Sequence, residues 1–373
     1  MKNNSKKICC IFNYPPHYRK AIYELMDREL NCDFYFGENV PGNLKSMDCK
    51  ILSGFKYKYK NYIIKRKIIW QSGILKLLFK KEYNTYILSV DMASLSEWIF
   101  LYLAHLLGKK TYLWTHGWYG KENILSKLKK KAFYYPCTGL LLYSEYAKNL
   151  MIKEGIKKEK LYVIANSLDY DQQLQIRNNL TKNEIYNIHF QNRYPTIIFI
   201  GRLEVPKKLS NILSAISILE EQNIFINCVF IGEGNDMNHL KKLSEQLNIK
   251  DRVWFYGACY DDNKIAQLIY NADICISPGN VGLTAIHSLS FGTPVITHNN
   301  FPNQMPEFEA IIENKNGAFF QENNLYSLVM TIKNWLKKHP QKDKEIISEC
   351  YNSIDTKYNP YYQINIIKRA LKL

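Results

Sequence analysis

Short runs of apolar residues alternate along most of the chain with longer segments in which apolar positions recur every three or four residues. The short runs are bounded by Gly, Pro, Asn or Asp and predict buried strands, whereas the longer segments predict amphipathic helices. In the first half this pattern predicts strands at 7–12, 32–36, 85–89, 110–114, 139–143 and 161–164. Helices are predicted between them, for example over 18–30 and 144–154.

The same pattern restarts at residue 196, after a polar segment at 169–194 that we interpret as a linker. Repeated strand-helix units predict parallel sheets with helices on both faces. We therefore expect an α/β chain with two doubly wound, Rossmann-like domains, 1–175 and 190–357, and a helical tail at 358–373 that returns to the first domain. Ligands of such sheets bind at the carboxyl ends of the strands, so the binding motifs should line one interdomain cleft.

The 373 residues are enough for two separate cores, since single cores seldom exceed roughly 300 residues. The nine cysteines lack the spacing of metal ligands, which predicts reduced thiols in a cytosolic protein. The apolar stretch at 8–12 is too short for a signal peptide, and the one at 98–107 is about half of the roughly 20 residues that span a membrane. We therefore expect a cytoplasmic protein.

Positive charge is concentrated in the first half of the chain. Residues 1–180 carry 30 Lys and Arg against 15 Asp and Glu, whereas the remaining residues carry 20 against 19. A basic face attracts nucleic-acid phosphates, anionic lipid headgroups or a diphosphate-bearing substrate, and charge alone does not distinguish among them. The excess also fits a solvated, lysine-rich surface.

The segment ISPGNVGLTAIHSLSFGTPVI, residues 276–296, predicts a strand, a sharp glycine-rich turn and a short helix. Its glycines let the backbone approach a ligand closely, and the helix that starts at Leu283 has first amides without intrahelical partners. Such a helix start binds anions. Thr284 could add a hydroxyl donor, and His287 lies one turn further along. An ordinary turn with a core histidine explains this segment, taken alone, equally well.

Two further segments follow strands of the second half. In FIGRLEVPKK the strand ends at Gly201, and Arg202 and Lys207 lie on the loop that enters the next helix. A forked guanidinium and an ammonium can together neutralise a diphosphate without a metal ion. The segment VFIGEGNDMNHL repeats the strand, turn and helix at Gly232, although such glycine turns are common.

The ordered segments IFIGRLEVPKK, VFIGEGNDMNHL, VWFYGACY, NADICISPGNVGLTAIHSLSFGTPVI and PEFEAIIENKNGAFF resemble those of the retaining glycosyltransferases of family 4, which have the two-domain GT-B fold. The resemblance covers roughly residues 105–325. The segments are specific for this family only as an ordered set, since no single segment is specific. It implies a donor sugar linked to uridine or guanosine diphosphate. It also implies a transfer that needs neither a metal ion nor another cofactor.

The resemblance implies roles for particular residues. Arg202 and Lys207 fall where the family holds the donor diphosphate, and His116 falls where many members keep a histidine near the transferred sugar. We interpret these three as catalytic, although a histidine that only caps a strand end is an alternative for His116. The positions expected to bind the donor are Gly201, Gly232, Gly279, Asn280, Val281, Gly282, Leu283, Thr284 and His287.

Family members carry two glutamates where this chain has Gly279 and His287. A histidine can still hydrogen-bond a ribose hydroxyl or a phosphate, but glycine cannot replace a carboxylate. Asn280 or groups of the first domain would then hold the sugar. Because we identify no carboxylate placed for double displacement, we expect front-face attack in which the departing phosphate helps to remove the acceptor proton.

The first domain is expected to bind the acceptor. Three candidate residues follow its first strand: Tyr14, His17 and Arg19. The basic segments 56–60, 65–67 and 127–131 interleave cations with aromatic or apolar residues, which is typical of proteins that lie on an anionic membrane. We expect peripheral binding to the inner face of the plasma membrane and a lipid-linked glycan acceptor, as in bacterial capsule, O-antigen or exopolysaccharide synthesis.

Three alternatives are left open. A metal-dependent transferase of another fold could use Asp169 and Asp171, whose spacing suits a divalent ion, although a polar linker turn explains this pair more simply. The basic half could bind nucleic acid, but we find no helix-turn-helix, zinc or RNA-binding motif and expect no nucleic-acid partner. A non-catalytic or differently specific homologue would account for the missing glutamates, although Arg202 and Lys207 are retained.

Overall fold

The computed structural model describes residues 7–38, 45–64 and 68–373, so the basic run at 65–67 lies outside the described residues. The chain divides into two compact units. The first contains the residues up to Asp169 together with Asn359–Leu373, and the second is Tyr170–Tyr358.

The first unit is built on a parallel sheet. Its strands are β1 (Lys7–Phe12), β2 (Cys32–Gly37), β3 (Phe55–Tyr59), β4 (Asn61–Ile64), β5 (Ile68–Gln71), β6 (Tyr83–Ser89), β7 (Lys110–Thr115), β8 (Gly139–Leu142) and β9 (Leu161–Val163). Seven of them form one sheet in the order β3-β2-β1-β6-β7-β8-β9, and β4 pairs with β5 in a separate antiparallel hairpin. The helices are α1 (Lys20–Glu29), α2 (Leu95–Leu106), α3 (Ile124–Tyr134) and α4 (Glu145–Lys153).

Strand β1 illustrates why this sheet is buried on both faces. Its residues Ile8, Cys10 and Phe12 belong to one apolar cluster, and Cys9 and Ile11 belong to another. Successive side chains of a strand point to opposite faces of the sheet. A continuous apolar run such as KICCIF therefore suits a central strand with helices packed above and below it.

The second unit has a six-stranded parallel sheet. Its strands are β10 (Thr196–Ile200), β11 (Asn227–Ile231), β12 (Val253–Gly257), β13 (Ile274–Ser277), β14 (Val295–His298) and β15 (Gly317–Phe320). Their order is β12-β11-β10-β13-β14-β15. The helices are α5 (Tyr170–Arg177), α6 (Ile185–Phe190), α7 (Ser210–Glu221), α8 (Met237–Gln246), α9 (Asp262–Asn271), α10 (Leu283–Ser290), α11 (Leu325–Lys338) and α12 (Lys344–Thr356).

In each sheet the order in which successive strands are added changes direction once, so that later strands are added on the other side of the first strand. The reversal lies between β1 and β6 in the first sheet and between β10 and β13 in the second. Ligands of doubly wound sheets bind at the carboxyl ends of the strands beside such a reversal. The predicted α/β class with two doubly wound, Rossmann-like domains is therefore confirmed.

The last helix, α13 (Pro360–Leu371), packs in the first unit. Its apolar residues Ile364 and Ile367 belong to the same buried cluster as Phe12. The Tyr112 hydroxyl on β7 donates to the Ala370 carbonyl at 2.8 Å. The chain thus returns to complete the first core after it has formed the second unit.

Helix α2 contains the apolar segment at 98–107. The Ser94 hydroxyl caps the helix by accepting the Glu97 amide at 3.3 Å, and Phe100, Leu101 and Ala104 are buried. No helix in the described ranges is long and apolar enough to cross a membrane.

Some elements differ from the prediction. The segment interpreted as a linker contains α5 and α6, and β3, the β4-β5 hairpin and β15 were not predicted. Strand β3 has the sequence FKYKY, in which lysine alternates with tyrosine, and it overlaps the basic segment at 56–60. It is an edge strand, where one side can stay in solvent, and its Lys56 ammonium lies 3.3 Å from the Asp33 carboxylate of the neighbouring strand.

The placement of α13 predicts a specific loss of stability. Ile367→Ala should lower the free energy of unfolding by roughly 2–5 kcal/mol, because it leaves a cavity where a fully buried side chain packed. Thermal and urea unfolding measure this loss. The control Leu373→Ala removes a side chain that is 73% exposed and should change stability by less than about 0.5 kcal/mol. Equal stability of the two variants would contradict the packing of α13.

Candidate active site

Two loops of the second unit meet at the carboxyl ends of β10 and β13. These strands are parallel neighbours, with Ile197 opposite Ile274. The chain therefore leaves both strands at the same edge of the sheet. After β10 it passes through Gly201 into a short 3-10 turn, Val205–Lys207, and after β13 it passes through a tight loop into α10.

Direct hydrogen bonds join these loops. The Lys207 ammonium donates to the Asn280 carbonyl at 2.8 Å and to Asn280 Oδ1 at 2.7 Å. The Gly279 amide donates to the Lys207 carbonyl at 3.0 Å. The Thr284 hydroxyl donates to the Ile200 carbonyl at 3.0 Å. The structure thus brings together predicted site residues that lie more than 70 positions apart in the sequence.

The two predicted diphosphate ligands have different surroundings. Lys207 is half-buried, and this burial, together with the nearby charge of Arg202, holds the pKa of Lys207 below its ordinary value. Lys207 forms no ion pair with any residue that the structure describes. Arg202 has a side chain that is 66% exposed, and its Nη1 donates to Glu204 Oε1 at 2.7 Å. An anion that binds Arg202 would compete with the Glu204 carboxylate, whereas an anion that binds Lys207 would displace no carboxylate.

The amino end of α10 presents backbone amides at the same edge. Gly282 has φ +54°, a conformation that glycine adopts readily, and it starts the helix without a side-chain cap. The Val281 amide donates to Gln304 Oε1 at 2.9 Å. The amides of Leu283 and Thr284 have no acceptor within the described part of the chain. Unpaired amides at a helix start favour a negatively charged ligand.

The turn after β11 adjoins these loops. The Gly201 amide donates to the Ile231 carbonyl at 3.0 Å, and the Leu203 amide donates to the Glu233 carbonyl at 2.9 Å. These bonds place Gly232 beside Gly201. The donor-binding positions predicted in the second unit therefore gather at the ends of three adjacent strands, β11, β10 and β13.

Close packing accounts for the glycine at position 279. A Cβ atom there would lie 2.3 Å from the Pro206 carbonyl oxygen and 2.9 Å from Lys207 Cα. The turn after β10 therefore occupies the space that any side chain of residue 279 would need. A carboxylate at this position is incompatible with the packing, and the neighbouring Asn280 contacts Lys207 instead.

His287 lies in the second turn of α10, and its ring centroid is 5.6 Å from that of Phe291. Burial lowers the pKa of His287 to about 4. The imidazole is therefore neutral at pH 7, so it can donate one hydrogen bond and accept another but adds no charge.

A cavity of about 320 Å³ lies at the carboxyl ends of β1, β6, β7 and β8 in the first unit. Three predicted residues line it: Tyr14, Arg19 and His116. His17, predicted beside them, is exposed and is not among the lining residues. A second cavity of about 600 Å³ shares Asn13, Tyr14 and Asp91 with the first.

Several residues that line the smaller cavity are not among the predicted site residues, for example Asp91, Trp114, Lys130 and Tyr143. Their position in the sequence is the one feature that could have indicated some of them. Trp114 and Tyr143 are the last residues of predicted strands, where side chains can reach the edge of the sheet that binds ligands. Which way each side chain turns depends on tertiary packing and cannot be deduced from that position.

His116 follows β7 and is held neutral by its surroundings. Burial lowers its pKa to about 4, and the positive charges of Arg19 and Lys130 act in the same direction. Its ring centroid is 4.7 Å from that of Tyr143. The buried Nδ1 atom has no hydrogen-bond partner in the described part of the chain.

The aspartates considered as metal ligands lie at the start of α5. Asp169 and Asp171 flank Tyr170, whose hydroxyl donates to Asp355 Oδ1 at 3.0 Å. Over the described ranges, no group of three or more His, Cys, Asp or Glu side chains is placed to hold a metal ion.

The loops of the second unit lie within a segment that resembles known enzymes. Residues 181–352 match the family model of glycosyl transferases, group 1. Over 174 residues the chain is 26% identical to an alpha-monoglucosyldiacylglycerol synthase of Streptococcus pneumoniae, a match that covers 46% of this chain and 39% of that protein. Over 180 residues it is 25% identical to a lipopolysaccharide 1,6-galactosyltransferase of Escherichia coli, covering 45% of each. The matches thus span less than half the length of these two curated relatives.

Two solved structures are similar over nearly the whole chain. The apo form of the lipopolysaccharide outer core galactosyltransferase WaaB matches with a TM-score of 0.71 at 16% identity, covering 98% of this chain and 100% of that chain. HepE of Anabaena in complex with UDP matches with a TM-score of 0.71 at 14% identity and the same coverage. At these identities the likeness shows the fold alone, and it confirms the predicted GT-B class.

The low pKa of His287 predicts how stability depends on pH. An unfolded histidine has a pKa of about 6.5, whereas folded His287 has a pKa of about 4. The unfolded chain therefore binds more protons between these values, and stability should fall as the pH drops from about 6.5 to about 4. His287→Asn should make this fall shallower, by up to ~1.4 kcal/mol per pH unit. Melting temperatures measured from pH 7 to pH 4.5 test this, and an unchanged slope would contradict the lowered pKa of His287.

Proposed function

We propose that this protein is a retaining glycosyltransferase of the family 4 type, which transfers a hexose from a nucleotide sugar to a lipid-linked glycan acceptor. The observation that carries the proposal is the junction of Lys207, Asn280 and the start of α10 at the ends of two neighbouring strands. This junction lies within the segment that matches glycosyl transferases, group 1. A cation and free backbone amides at one strand edge suit the diphosphate of such a donor.

The proposed chemistry is stabilisation of the leaving group. Transfer breaks the bond between the sugar and the diphosphate and leaves negative charge on the diphosphate oxygen. Lys207, Arg202 and the first amides of α10 would stabilise that charge. Because Gly279 offers no carboxylate and has no room for one, we propose front-face attack, in which the departing phosphate accepts the proton of the acceptor hydroxyl. No metal ion or other cofactor has a role in this proposal.

The donor is proposed to be a UDP- or GDP-linked sugar. HepE, which shares the fold, has been solved with UDP. Asn280, beside Lys207, and neutral His287 would offer hydrogen bonds to sugar or ribose hydroxyls without adding negative charge near the diphosphate.

Arg202 provides the first test. Arg202→Ala should lower turnover by about 10²- to 10³-fold, because it removes a charge that stabilises the leaving diphosphate. The release of nucleoside diphosphate from a panel of UDP- and GDP-sugars measures this change. Arg193→Ala is the matched control, since Arg193 is also exposed but precedes β10, whereas Arg202 follows it. The control should keep the activity of the unchanged protein.

Turnover of Arg202→Ala at the level of the Arg193→Ala control would end the proposed role of Arg202. Activity that disappears in a chelator and returns with a divalent ion would instead favour a metal-dependent transferase. Donor binding without release of nucleoside diphosphate would indicate a non-catalytic homologue, the alternative that Gly279 and His287 favour.

We also propose that the first unit binds the inner face of the plasma membrane, in synthesis of a bacterial surface polysaccharide. In α3, Ile124 and Leu125 are 76% and 78% exposed, and the helix also carries four lysines. The β4-β5 hairpin exposes further large apolar side chains: Tyr62, Ile63, Ile64 and Ile68. Exposed apolar residues beside lysines are typical of helices that lie among anionic headgroups. The Streptococcus pneumoniae relative is named for a diacylglycerol glycolipid.

Not all lysines of the predicted basic segments are available to lipid. Lys56 pairs with Asp33, and Lys127 and Lys131 pair with Glu154. The exposed apolar residues of α3 therefore support the membrane proposal more strongly than the number of charges does.

Liposome flotation tests the role of α3. Leu125→Glu should reduce binding to vesicles that contain phosphatidylglycerol by about tenfold, because it replaces an apolar contact with a like charge. The control Ile188→Glu changes a residue of the second unit that is 75% exposed and should leave flotation unchanged. Equal flotation of both variants, or binding that does not weaken at high salt, would contradict the proposal.

A further inference from the structure

Arg19 is a half-buried cation that has no carboxylate partner among the described residues. Its Nη1 donates to the Tyr23 hydroxyl at 3.3 Å, and its Nη2 donates to the Tyr143 hydroxyl. The guanidinium carbon lies 5.0 Å from the ring centroid of Trp114. Its Nε atom is buried and has no acceptor in the described part of the chain. A buried donor without an acceptor is unfavourable, so the Nε atom retains an unused capacity to form a hydrogen bond.

A second unused polar atom belongs to the same cavity. Both Arg19 and His116 line the space of about 320 Å³, and His116 Nδ1 is buried without a hydrogen-bond partner among the described residues. Tyr143 contacts both residues, through the Arg19 hydrogen bond and through the His116 ring. Arg19, His116 and Tyr143 therefore line one region of the cavity, and two atoms there, Arg19 Nε and His116 Nδ1, have no hydrogen-bond partner in the described part of the chain.

The other charges of the cavity do not neutralise Arg19. Lys130 donates to Glu122 Oε1 at 2.7 Å and to the Gly117 carbonyl at 2.8 Å, so this lysine is already paired. Asp91 also lines the cavity, but its Oδ1 accepts the Ala93 amide at 3.0 Å, and no ion pair joins Asp91 to Arg19. The aromatic face of Trp114 stabilises a guanidinium without removing its charge.

We propose that this cavity binds a single oxyanion group of the acceptor, a phosphate or a carboxylate, through the Arg19 guanidinium, with the Tyr143 hydroxyl and His116 Nδ1 as further hydrogen-bonding partners. The identity of the ligand as an acceptor rests on the proposed function. The ion site itself rests on the contacts of Arg19 and His116. Arg19 is thus a binding residue for an acidic acceptor, and a planar guanidinium with free N–H groups is suited to an oxyanion.

Titration calorimetry with simple ions tests the site. The probes are inorganic phosphate and glucuronate, with chloride as the reference at equal ionic strength. Because Arg202 and Lys207 could also bind phosphate, all measurements use the Arg202→Ala protein as the background. That protein should still bind one of the two oxyanions in a saturable manner. Absence of binding of both ions would overturn the proposal without any change at Arg19.

Variants of Arg19 locate the ion. Arg19→Met in the Arg202→Ala background should weaken binding by at least about tenfold, because the charge-assisted hydrogen bonds are lost. Arg19→Lys keeps the charge but loses the fork, and should weaken binding by at least about threefold. If Arg19→Met does not fold, Arg19→Lys alone decides. Undiminished affinity in a folded variant would place the ion elsewhere and overturn the proposal.

The preference between ions identifies the source of the charge. Tighter binding of phosphate indicates an acceptor with a phosphate, such as a lipid phosphate, and tighter binding of glucuronate indicates an acidic sugar. A separate measurement distinguishes this proposal from the proposed function. It is the thermal shift that UDP causes in the protein with Arg202 intact, which reports donor binding. Loss of ion binding with an intact UDP shift refutes only the Arg19 site. Ion binding without a UDP shift or turnover refutes only the transferase.

Discussion

The contact between the turn after β10 and the backbone at Gly279 determines the shape of the candidate donor site. Without a side chain at residue 279, the Gly279 amide reaches the Lys207 carbonyl, and the Lys207 ammonium reaches Asn280. This contact holds the Lys207 ammonium near the start of α10, whose first amides have no acceptors within the described chain. A Cβ at position 279 would separate the two loops, because it would lie 2.3 Å from the Pro206 oxygen.

The same contact changes the charge of the site relative to the family it resembles. A carboxylate at residue 279 would place a negative charge beside Lys207, whereas Asn280 offers only neutral oxygens. Lys207 therefore keeps its positive charge available to a ligand, although burial already lowers its pKa. In the proposed transfer, the donor sugar would lack an anionic partner for its hydroxyls at this position. A neutral amide accepts fewer and weaker hydrogen bonds than a carboxylate, so donor selection should depend more on shape and on other groups.

The sequence predicts the sheet edges better than the contacts made there. Apolar runs such as KICCIF and TIIFI identify central strands because burial on both faces needs continuous apolar residues. The Rossmann strand order then makes β10 and β13 neighbours, which is why Lys207 and the α10 start could be predicted to converge. By contrast, β3 escaped prediction because an edge strand tolerates alternating lysines. The partners of Arg19 could not be predicted, since Tyr143 is 124 positions away and its side-chain direction depends on packing.

The two candidate ligand regions obtain their positive charge in the same way. His116 and His287 have pKa values of about 4 because burial disfavours their charged forms, so both are neutral near pH 7. The cations that face a ligand are arginines and a lysine, and arginine does not titrate near neutral pH. The histidines can therefore accept or donate hydrogen bonds without competing with Arg19 or Lys207 for an anion. The affinity of both regions for an oxyanion therefore depends on charges that do not titrate near neutral pH. As the pH falls, the protein should lose stability before the histidines of the folded state become charged.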